Sequence, residues 1–205
     1  MLHATLHLLG QTPSPRLAVD LGCGAGVESL ELLRQGWSVL AVDASRSAIE
    51  ELRSAVPREH ADRLKTKIVR AESLRFPSAD LVWAGASLPF VSPRSFPAVW
   101  RAIVASLKPG GIFAGDFFGP RHAWASNLEM NFHTLREVRK LCRPLIIESL
   151  ISEQGRRATA MSGIVRWHAF SVIARKPASS GGAKLRRLAS VTPDLPLRRA
   201  AGLRR

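Results

Sequence analysis

Three glycines at alternate positions follow directly after a short apolar run, and this feature constrains the fold more than any other. The run is Leu17 to Leu21, and the glycines are Gly22, Gly24 and Gly26. Glycine allows the backbone conformations of a tight turn and leaves room for a ligand beside the chain. Apolar residues recur at helical spacing from Val27. The sequence therefore predicts a strand, a glycine loop and a helix whose first N–H groups face a ligand.

The rest of the pattern predicts an α/β domain. Helices are expected to begin at Val27 and Ser45 and to span residues 96–107 and 132–142. Strands are expected at Leu17–Leu21, Ser38–Val42, Lys65–Arg70, Asp80–Ala84, Ile112–Phe118, Leu145–Ser152 and Val165–Ala174. Alternating strands and helices imply a parallel, doubly wound sheet. The last two strands have only a polar loop around Gly155 between them, so they must pair antiparallel.

Asp43 ends the second predicted strand, 21 residues after Gly22. A carboxylate at this place can accept hydrogen bonds from both hydroxyls of a ribose. Dinucleotide sites usually have the spacing G-x-G-x-x-G, but here Val27 stands where that third glycine would be. An ordinary tight turn and an aspartate at a helix start are the alternatives for each feature alone. Together, the glycines and Asp43 favour a site for a nucleoside without phosphates.

Composition predicts one globular domain at residues 1–176. Hydrophobic residues make up 46% of the 205 residues, and no apolar run approaches the roughly 20 residues of a membrane-spanning helix. The first residues lack the basic leader and cleavage site of a secretory signal. Cys23 and Cys142 form no metal-ligand spacing and no disulfide framework. We therefore expect a cytoplasmic protein with no metal site and no membrane partner.

The net charge of +14 raises the question of a nucleic-acid partner. Residues 177–205 contain seven basic residues and one acidic residue, together with serine, glycine and proline. This composition predicts a basic, flexible tail. The other basic residues are scattered along predicted helices, which is typical of a solvated surface. We expect only weak, non-specific nucleic-acid contact through the tail.

The sequence closely resembles class I S-adenosylmethionine-dependent methyltransferases, in particular the small bacterial branch related to tellurite-resistance methyltransferases. The resemblance covers about residues 15 to 176 and is most specific in LAVDLGCGAGVESLELLRQGWSVLAVDAS. Further matches are ADLVWAGASLPFVSPRSFPAVW, LKPGGIFAGDFFGPRHAW and RWHAFSVIARKP. It implies a Rossmann-like, mostly parallel sheet of seven strands in the order 3-2-1-4-5-7-6, with strand 7 antiparallel. It also implies the cofactor S-adenosyl-L-methionine.

The resemblance assigns roles to residues at the ends of the strands. It places Asp43 on the ribose, Ala44 and Ser45 at the adenine, and Glu72 near the adenine amino group. Ala86 and Ser87 would face the methionine amino group and the substrate entrance. The glycine loop would surround the methionine part of the cofactor with Asp20, Gly22, Cys23, Gly24 and Gly26. The segment before the first strand leaves room for one short helix.

Methyl transfer depends mainly on holding the acceptor atom in line with an activated methyl group. A general base is needed only if the acceptor loses a proton, and the candidates are Asp116, His122 and His168. No catalytic residue is assigned, and a structural role is favoured for His168. Aromatic residues could line a substrate pocket or belong to the core; they are Trp83, Phe90, Phe117, Phe118 and Trp124.

The sequence favours a methyltransferase that acts on a small molecule. An RNA or protein methyltransferase that uses the basic tail is the first alternative. The segment Ala86 to Phe90 lacks the Asn/Asp-Pro-Pro-aromatic cluster typical of enzymes that methylate exocyclic or amide nitrogens. The second alternative, a cofactor-binding protein without activity, is disfavoured by the intact glycines and Asp43.

Overall fold

The computed structural model describes residues 1–10, 16–159 and 163–178, which form an α/β fold around one sheet. Its helices are α1 (Leu2–Leu9), α2 (Val27–Arg34), α3 (Arg46–Ala55), α4 (Phe96–Ser106) and α5 (Leu135–Leu141). Short 3₁₀ helices span Arg58–Arg63, Ala71–Ser73 and Leu88–Phe90. The strands are β1 (Leu17–Leu21), β2 (Ser38–Asp43), β3 (Leu64–Ile68), β4 (Ala79–Ala84), β5 (Leu107–Phe118), β6 (Ile146–Thr159) and β7 (Gly163–Arg175).

The strand order is β3-β2-β1-β4-β5-β7-β6. Strands β1 to β5 run parallel, whereas β7 pairs antiparallel with both β5 and β6. The predicted fold class is confirmed. Because the order reverses between β1 and β4, the connections there leave in opposite directions and open a crevice at the carboxyl ends of the strands.

Both faces of the sheet are covered, as the apolar runs of the central strands require. On one face, Trp100 of α4 makes edge contacts with Phe113 and Phe117 of β5. On the other face, Leu32 of α2 and Leu52 of α3 lie in a core cluster with residues of β1, β2 and β4. The sheet is thus a rigid platform that fixes where its strand ends lie.

The predicted loop around Gly155 is wrong. Gly155 lies inside β6 and pairs with Trp167 of β7, and pairing continues to Thr159 opposite Gly163. The connection between the strands falls at residues 160–162, outside the described residues. Glycine commonly marks a turn, but here the hairpin is long enough to place it within a strand.

Two other boundaries differ from the prediction. Strand β5 begins at Leu107, before the predicted Ile112, because Leu107 pairs with Ala79 of β4. Gly110 and Gly111 then exchange backbone hydrogen bonds with Lys176. Helix α5 begins after Thr134, later than the predicted start at residue 132. The Thr134 hydroxyl accepts from the backbone N–H of Glu137, whose carboxylate accepts in return from that of Thr134. This capping box fixes the start of α5.

Two predictions concern the ends of the chain: a short helix before β1 and a flexible tail after Lys176. Helix α1 occupies the short segment before β1, and Arg175 donates to the carbonyl of Leu8. The predicted flexible tail lies outside the described residues, apart from residues 177 and 178. The longest described helix, α4, has 11 residues, and none in the described ranges meets the length and apolarity of a membrane crossing.

The glycine loop connects the sheet to helix α2 through Gly26. Gly26 is buried, has a φ of 88° and precedes the first residue of α2. A Cβ atom at this position would lie 2.9 Å from Cγ of Leu52. Gly24 also has a positive φ, 52°, but a Cβ atom there would meet nothing within 4 Å. Gly26 therefore serves close packing of the loop against α3, whereas Gly24 faces open space.

We predict that Gly26→Ala destabilises the fold more than Gly24→Ala. Both variants carry the penalty of about 1–2 kcal/mol for an L-residue in the left-handed region. Only Gly26→Ala adds overpacking against Leu52, of about 1–3 kcal/mol. Chemical denaturation of both variants measures the difference. Equal losses would show that the packing role of Gly26 is wrong.

Candidate functional site

A cavity of about 500 Å³ opens at the carboxyl ends of β1 to β4. It lies at the crevice where the strand order reverses, the usual position of a ligand in a sheet of this type. The size falls within the range of small-ligand pockets. The lining residues are Leu21, Gly22, Val42, Asp43, Ala44, Ser45, Val69, Arg70, Ala71, Glu72, Gly85, Ala86, Ser87, Phe90 and Val91.

Asp43 joins the glycine loop to the end of β2. Its Oδ2 accepts from the backbone N–H of Gly24 at 3.0 Å, and its Oδ1 accepts from that of Ser45 at 2.8 Å. The N–H groups of Gly22 and Cys23 both donate to the carbonyl of Val42, at 2.7 and 3.1 Å. The carboxylate is half-buried at the cavity wall and keeps lone pairs for further donors.

The segment after β4 forms another part of the wall. Ala86 is the only non-glycine residue with a positive φ, 50°, among the described residues. Ser87 lies so close to Gly22 that a Cβ atom at Gly22 would overlap it. The buried Ser87 Oγ has no hydrogen-bond partner among the described residues. A strained residue beside an unpartnered hydroxyl is typical of a ligand site.

Asp116 on β5 holds Ala86 in its strained conformation. One carboxylate oxygen accepts from the N–H of Ala86 at 3.1 Å and the other from the hydroxyl of Ser171 at 2.6 Å. Burial raises the pKa of Asp116, while these two hydrogen bonds lower it in part. Asp116 does not line the cavity. The geometry thus gives this candidate base a positioning role.

Glu72 and Arg70, which follow β3, also line the cavity. One Glu72 oxygen accepts from the N–H of Ser92 at 3.0 Å, and the other lies 3.8 Å from Nε of Arg70. Glu72 thereby links the segment after β3 to the loop after β4. Arg70 was not predicted as a site residue, although its place at the end of a predicted strand was a usable signal.

Four other predicted cofactor residues do not line the cavity. Asp20 is 1% exposed and accepts from the hydroxyl of Ser29 on α2 at 2.6 Å. Burial raises the pKa of the Asp20 carboxyl to about 7 and that of the Cys23 thiol to about 12. Gly24 touches the site through its hydrogen bond to Asp43, and Gly26 packs against helix α3. These four residues therefore support the glycine loop without lining the cavity.

The two candidate histidines lie outside the cavity wall. His168 is buried, and its Nδ1 accepts from the backbone N–H of Arg121 at 3.0 Å. Its ring packs so closely on Gly119 that a side chain there would overlap it. Burial lowers the pKa of His168. His168 therefore orders the turn after β5, in keeping with the predicted structural role. Burial also lowers the pKa of His122.

The five candidate aromatic residues separate into three groups. Trp83 and Phe117 belong to the two cores on opposite faces of the sheet. Phe90 lines the cavity, and its ring lies 6.4 Å from that of Phe118 and 6.2 Å from that of Trp124. Phe118 and Trp124 therefore adjoin the cavity through Phe90.

Comparison with known proteins agrees with this architecture. Residues 18–111 match a family described as a methyltransferase domain. A solved S-adenosylmethionine-dependent methyltransferase from Methanosarcina mazei has a TM-score of 0.64 and 22% identity, over 86% of this chain and 96% of that one. TehB from Haemophilus influenzae has a TM-score of 0.68 and 18% identity, over 80% of this chain and 58% of that one. The fold is therefore that of the class I S-adenosylmethionine-dependent methyltransferases.

A curated relative matches part of the chain. The carboxy-S-adenosyl-L-methionine synthase of Hydrogenovibrio crunogenus is 31% identical over 98 residues, which are 45% of this chain and 39% of that protein. The chain thus matches about two fifths of the length of that relative. The match over residues 18–111 is to a methyltransferase domain, and the fold agrees with the resemblance found in the sequence.

We predict that Asp43→Ala weakens binding of the demethylated cofactor, S-adenosylhomocysteine, at least 100-fold. The variant would lose charge-assisted hydrogen bonds to the ribose, each contributing about 1.5–3 kcal/mol, and would also release Gly24 and Ser45. Titration calorimetry measures the affinity. Glu51→Ala, on the exposed side of α3, is the matched control. Unchanged affinity in Asp43→Ala would refute the ribose assignment.

We predict that the Asp20 carboxyl makes the fold less stable as the pH rises from about 4 to about 7. Its pKa is raised from 3.8 to about 7 in the folded state, so in this window the folded protein keeps a proton that the unfolded chain releases. The contribution of Asp20 to the free energy of unfolding therefore falls with pH and becomes level above the raised pKa. Denaturation of Asp20→Asn across this range should show a weaker fall than the wild type. If the free energies of unfolding of the wild type and of Asp20→Asn change with pH in parallel, the prediction is contradicted.

Proposed function

We propose that the chain is an enzyme that transfers the methyl group of S-adenosyl-L-methionine to a small-molecule acceptor. The observation that carries the proposal is the cavity at the strand crossover, between Asp43 on one strand end and the strained Ala86 on another. Such a cavity offers a carboxylate for a ribose on one wall and backbone near an acceptor on the other. We also propose that residues 1–176 form the catalytic domain.

The residues present fit the cofactor. Asp43 keeps lone pairs for ribose hydroxyls, and Ala44 and Ser45 lie beside it on the cavity wall. Ser87 offers a buried hydroxyl that lacks a partner among the described residues. Glu72 and Arg70 provide an acceptor and donors for the adenine side. The bound cofactor supplies a methyl group that its sulfonium charge already activates.

The chain contributes position more than proton transfer. The ionisable side chains that line the cavity are Asp43, Arg70 and Glu72, and both carboxylates already accept backbone hydrogen bonds. Asp116 and His168 are engaged in structural hydrogen bonds. We infer that the acceptor attacks with its own lone pair while the cavity walls hold it in line and exclude water. A proton released by the acceptor would pass to solvent.

The RNA or protein alternative depends on positive charge. Among the described residues, Arg156, Arg157 and Arg166 lie on the β6–β7 hairpin, but Arg157 pairs with Glu153 and Arg166 donates to the carbonyl of Arg121. The charged tail lies outside the described residues. We propose a cytoplasmic location, in keeping with the free, buried Cys23 and Cys142.

We predict that a chain ending at Lys176 keeps its melting temperature, its affinity for S-adenosylhomocysteine and its turnover of small acceptors. Removal of the basic tail should only weaken non-specific RNA binding and flatten the slope of log affinity against log salt by several units. Transfer of a radiolabelled methyl group to a panel of small oxygen, nitrogen and sulfur nucleophiles and to bulk RNA measures the outcome. Stoichiometric labelling of one RNA, lost on truncation, would overturn the small-molecule proposal.

A further inference from the structure

A group of rings next to the cofactor cavity forms a compact cluster. The ring of His122 stacks on that of Phe118, with 4.1 Å between centroids and 7° between planes. Trp167 of β7 meets both rings edge-on, at 4.9 Å from Phe118 and 5.1 Å from His122. We name this group the aromatic cluster; its members are Phe90, Phe118, His122, Trp124, Phe132 and Trp167.

The aromatic cluster contains two buried nitrogen atoms that lack a hydrogen-bond partner among the described residues. They are Nε2 of His122, which is 1% exposed, and Nε1 of Trp167, which is 7% exposed. Buried polar atoms are normally paired, because burial removes their hydrogen bonds to water. Phenylalanine in place of Trp167 would pack with similar neighbours and leave no nitrogen unpaired. Two unpaired nitrogens in one cluster therefore indicate a ligand that pairs with them.

Both nitrogens are donors. The indole N–H of Trp167 can only donate. Nδ1 of His122 accepts from the backbone N–H of Trp124 at 3.2 Å, so the proton of the neutral ring is assigned to Nε2. Burial and the nearby His168 lower the pKa of His122, which favours this neutral form. The missing partner is therefore an acceptor atom, such as a carbonyl, ether or hydroxyl oxygen.

The aromatic cluster is continuous with the cofactor cavity. Ala86 and Phe90 line the cavity, and both also pack against members of the aromatic cluster. Phe90 is 40% exposed and Trp124 is half-buried, so these two rings form its outer side. A molecule that packs on these two rings would lie near Ala86, at the wall where the proposed methyl transfer takes place.

We propose that the aromatic cluster is the acceptor subsite and binds a planar aromatic molecule whose oxygen accepts hydrogen bonds from His122 Nε2 and Trp167 Nε1. The proposal rests on the proposed function, because it names the class of acceptor for that site. A flat ring would stack on Phe90 and Trp124, the outer rings of the aromatic cluster, and its oxygen would fix which edge of the acceptor points inward. An acceptor without such an oxygen would leave both donors unpaired and bind more weakly.

The test compares 2-naphthol with naphthalene, which has the same rings but no oxygen, and with cyclohexanol, which has the oxygen but no flat ring. Binding to the protein saturated with S-adenosylhomocysteine is measured by calorimetry or ligand-observed NMR. We expect 2-naphthol to bind more tightly than either of the other probes. His122→Phe keeps the stacked ring but removes the Nε2 donor, together with the Nδ1 acceptor of the Trp124 N–H. It should weaken 2-naphthol three- to tenfold and leave naphthalene unchanged. Trp167→Phe should act in the same direction.

Several outcomes separate this inference from the proposed function. His3→Phe, at an exposed position of α1, is the matched control and should change neither ligand. S-adenosylhomocysteine affinity, measured on the same samples, should remain unchanged in His122→Phe. If the wild type binds S-adenosylhomocysteine but does not prefer 2-naphthol, or if His122→Phe leaves that preference intact, the acceptor subsite is refuted while the proposed function stands. Failure of the wild type to bind S-adenosylhomocysteine would refute the proposed function itself.

Discussion

The hydrogen bond from the backbone of Gly24 to the carboxylate of Asp43 joins two chain segments on which the site depends. It draws the loop after β1 onto the end of β2, while the second oxygen of Asp43 holds the start of α3 through Ser45. Backbone hydrogen bonds from Gly22 and Cys23 to the carbonyl of Val42 reinforce the contact between the loop and β2. The Asp43 carboxylate that would bind a ribose therefore also holds the surrounding wall of the pocket in place. Binding and local folding at this edge are parts of one interaction.

On the other side of the crossover, the structure uses a second carboxylate in a different way. Asp116 reaches from β5 to the backbone of Ala86 and to Ser171 on β7, so three elements meet at one buried group. Its environment raises its pKa, and its hydrogen bonds are directed to the protein. Ala86 can keep a left-handed backbone because this contact opposes the strain. The two carboxylates thus fix the two walls of the cavity.

The sequence predicted what depends on short-range pattern. Alternating apolar runs and helical spacing were enough for the seven strands, and the glycine loop with Asp43 was enough for the position of the cavity. Contacts between distant residues could not be predicted in the same way. Gly26 was assigned to the ligand, yet its constraint comes from Leu52 on another helix. Gly155 resembled a turn because nothing local shows how far a hairpin extends, and His168 could be understood only once Arg121 lay beside it.

The antiparallel direction of β7 has a consequence for how such a fold can change over time. A parallel strand brings its last residues to the ligand edge, but β7 runs the other way and brings its first ones, including Trp167, to that edge. Before Ala169, at residues 163–168, β7 pairs with β6 alone. Mutations or insertions in this projecting half of the hairpin leave the register with β5 untouched. The proposed acceptor side of the molecule can therefore evolve while the half proposed to hold the nucleoside stays as it is.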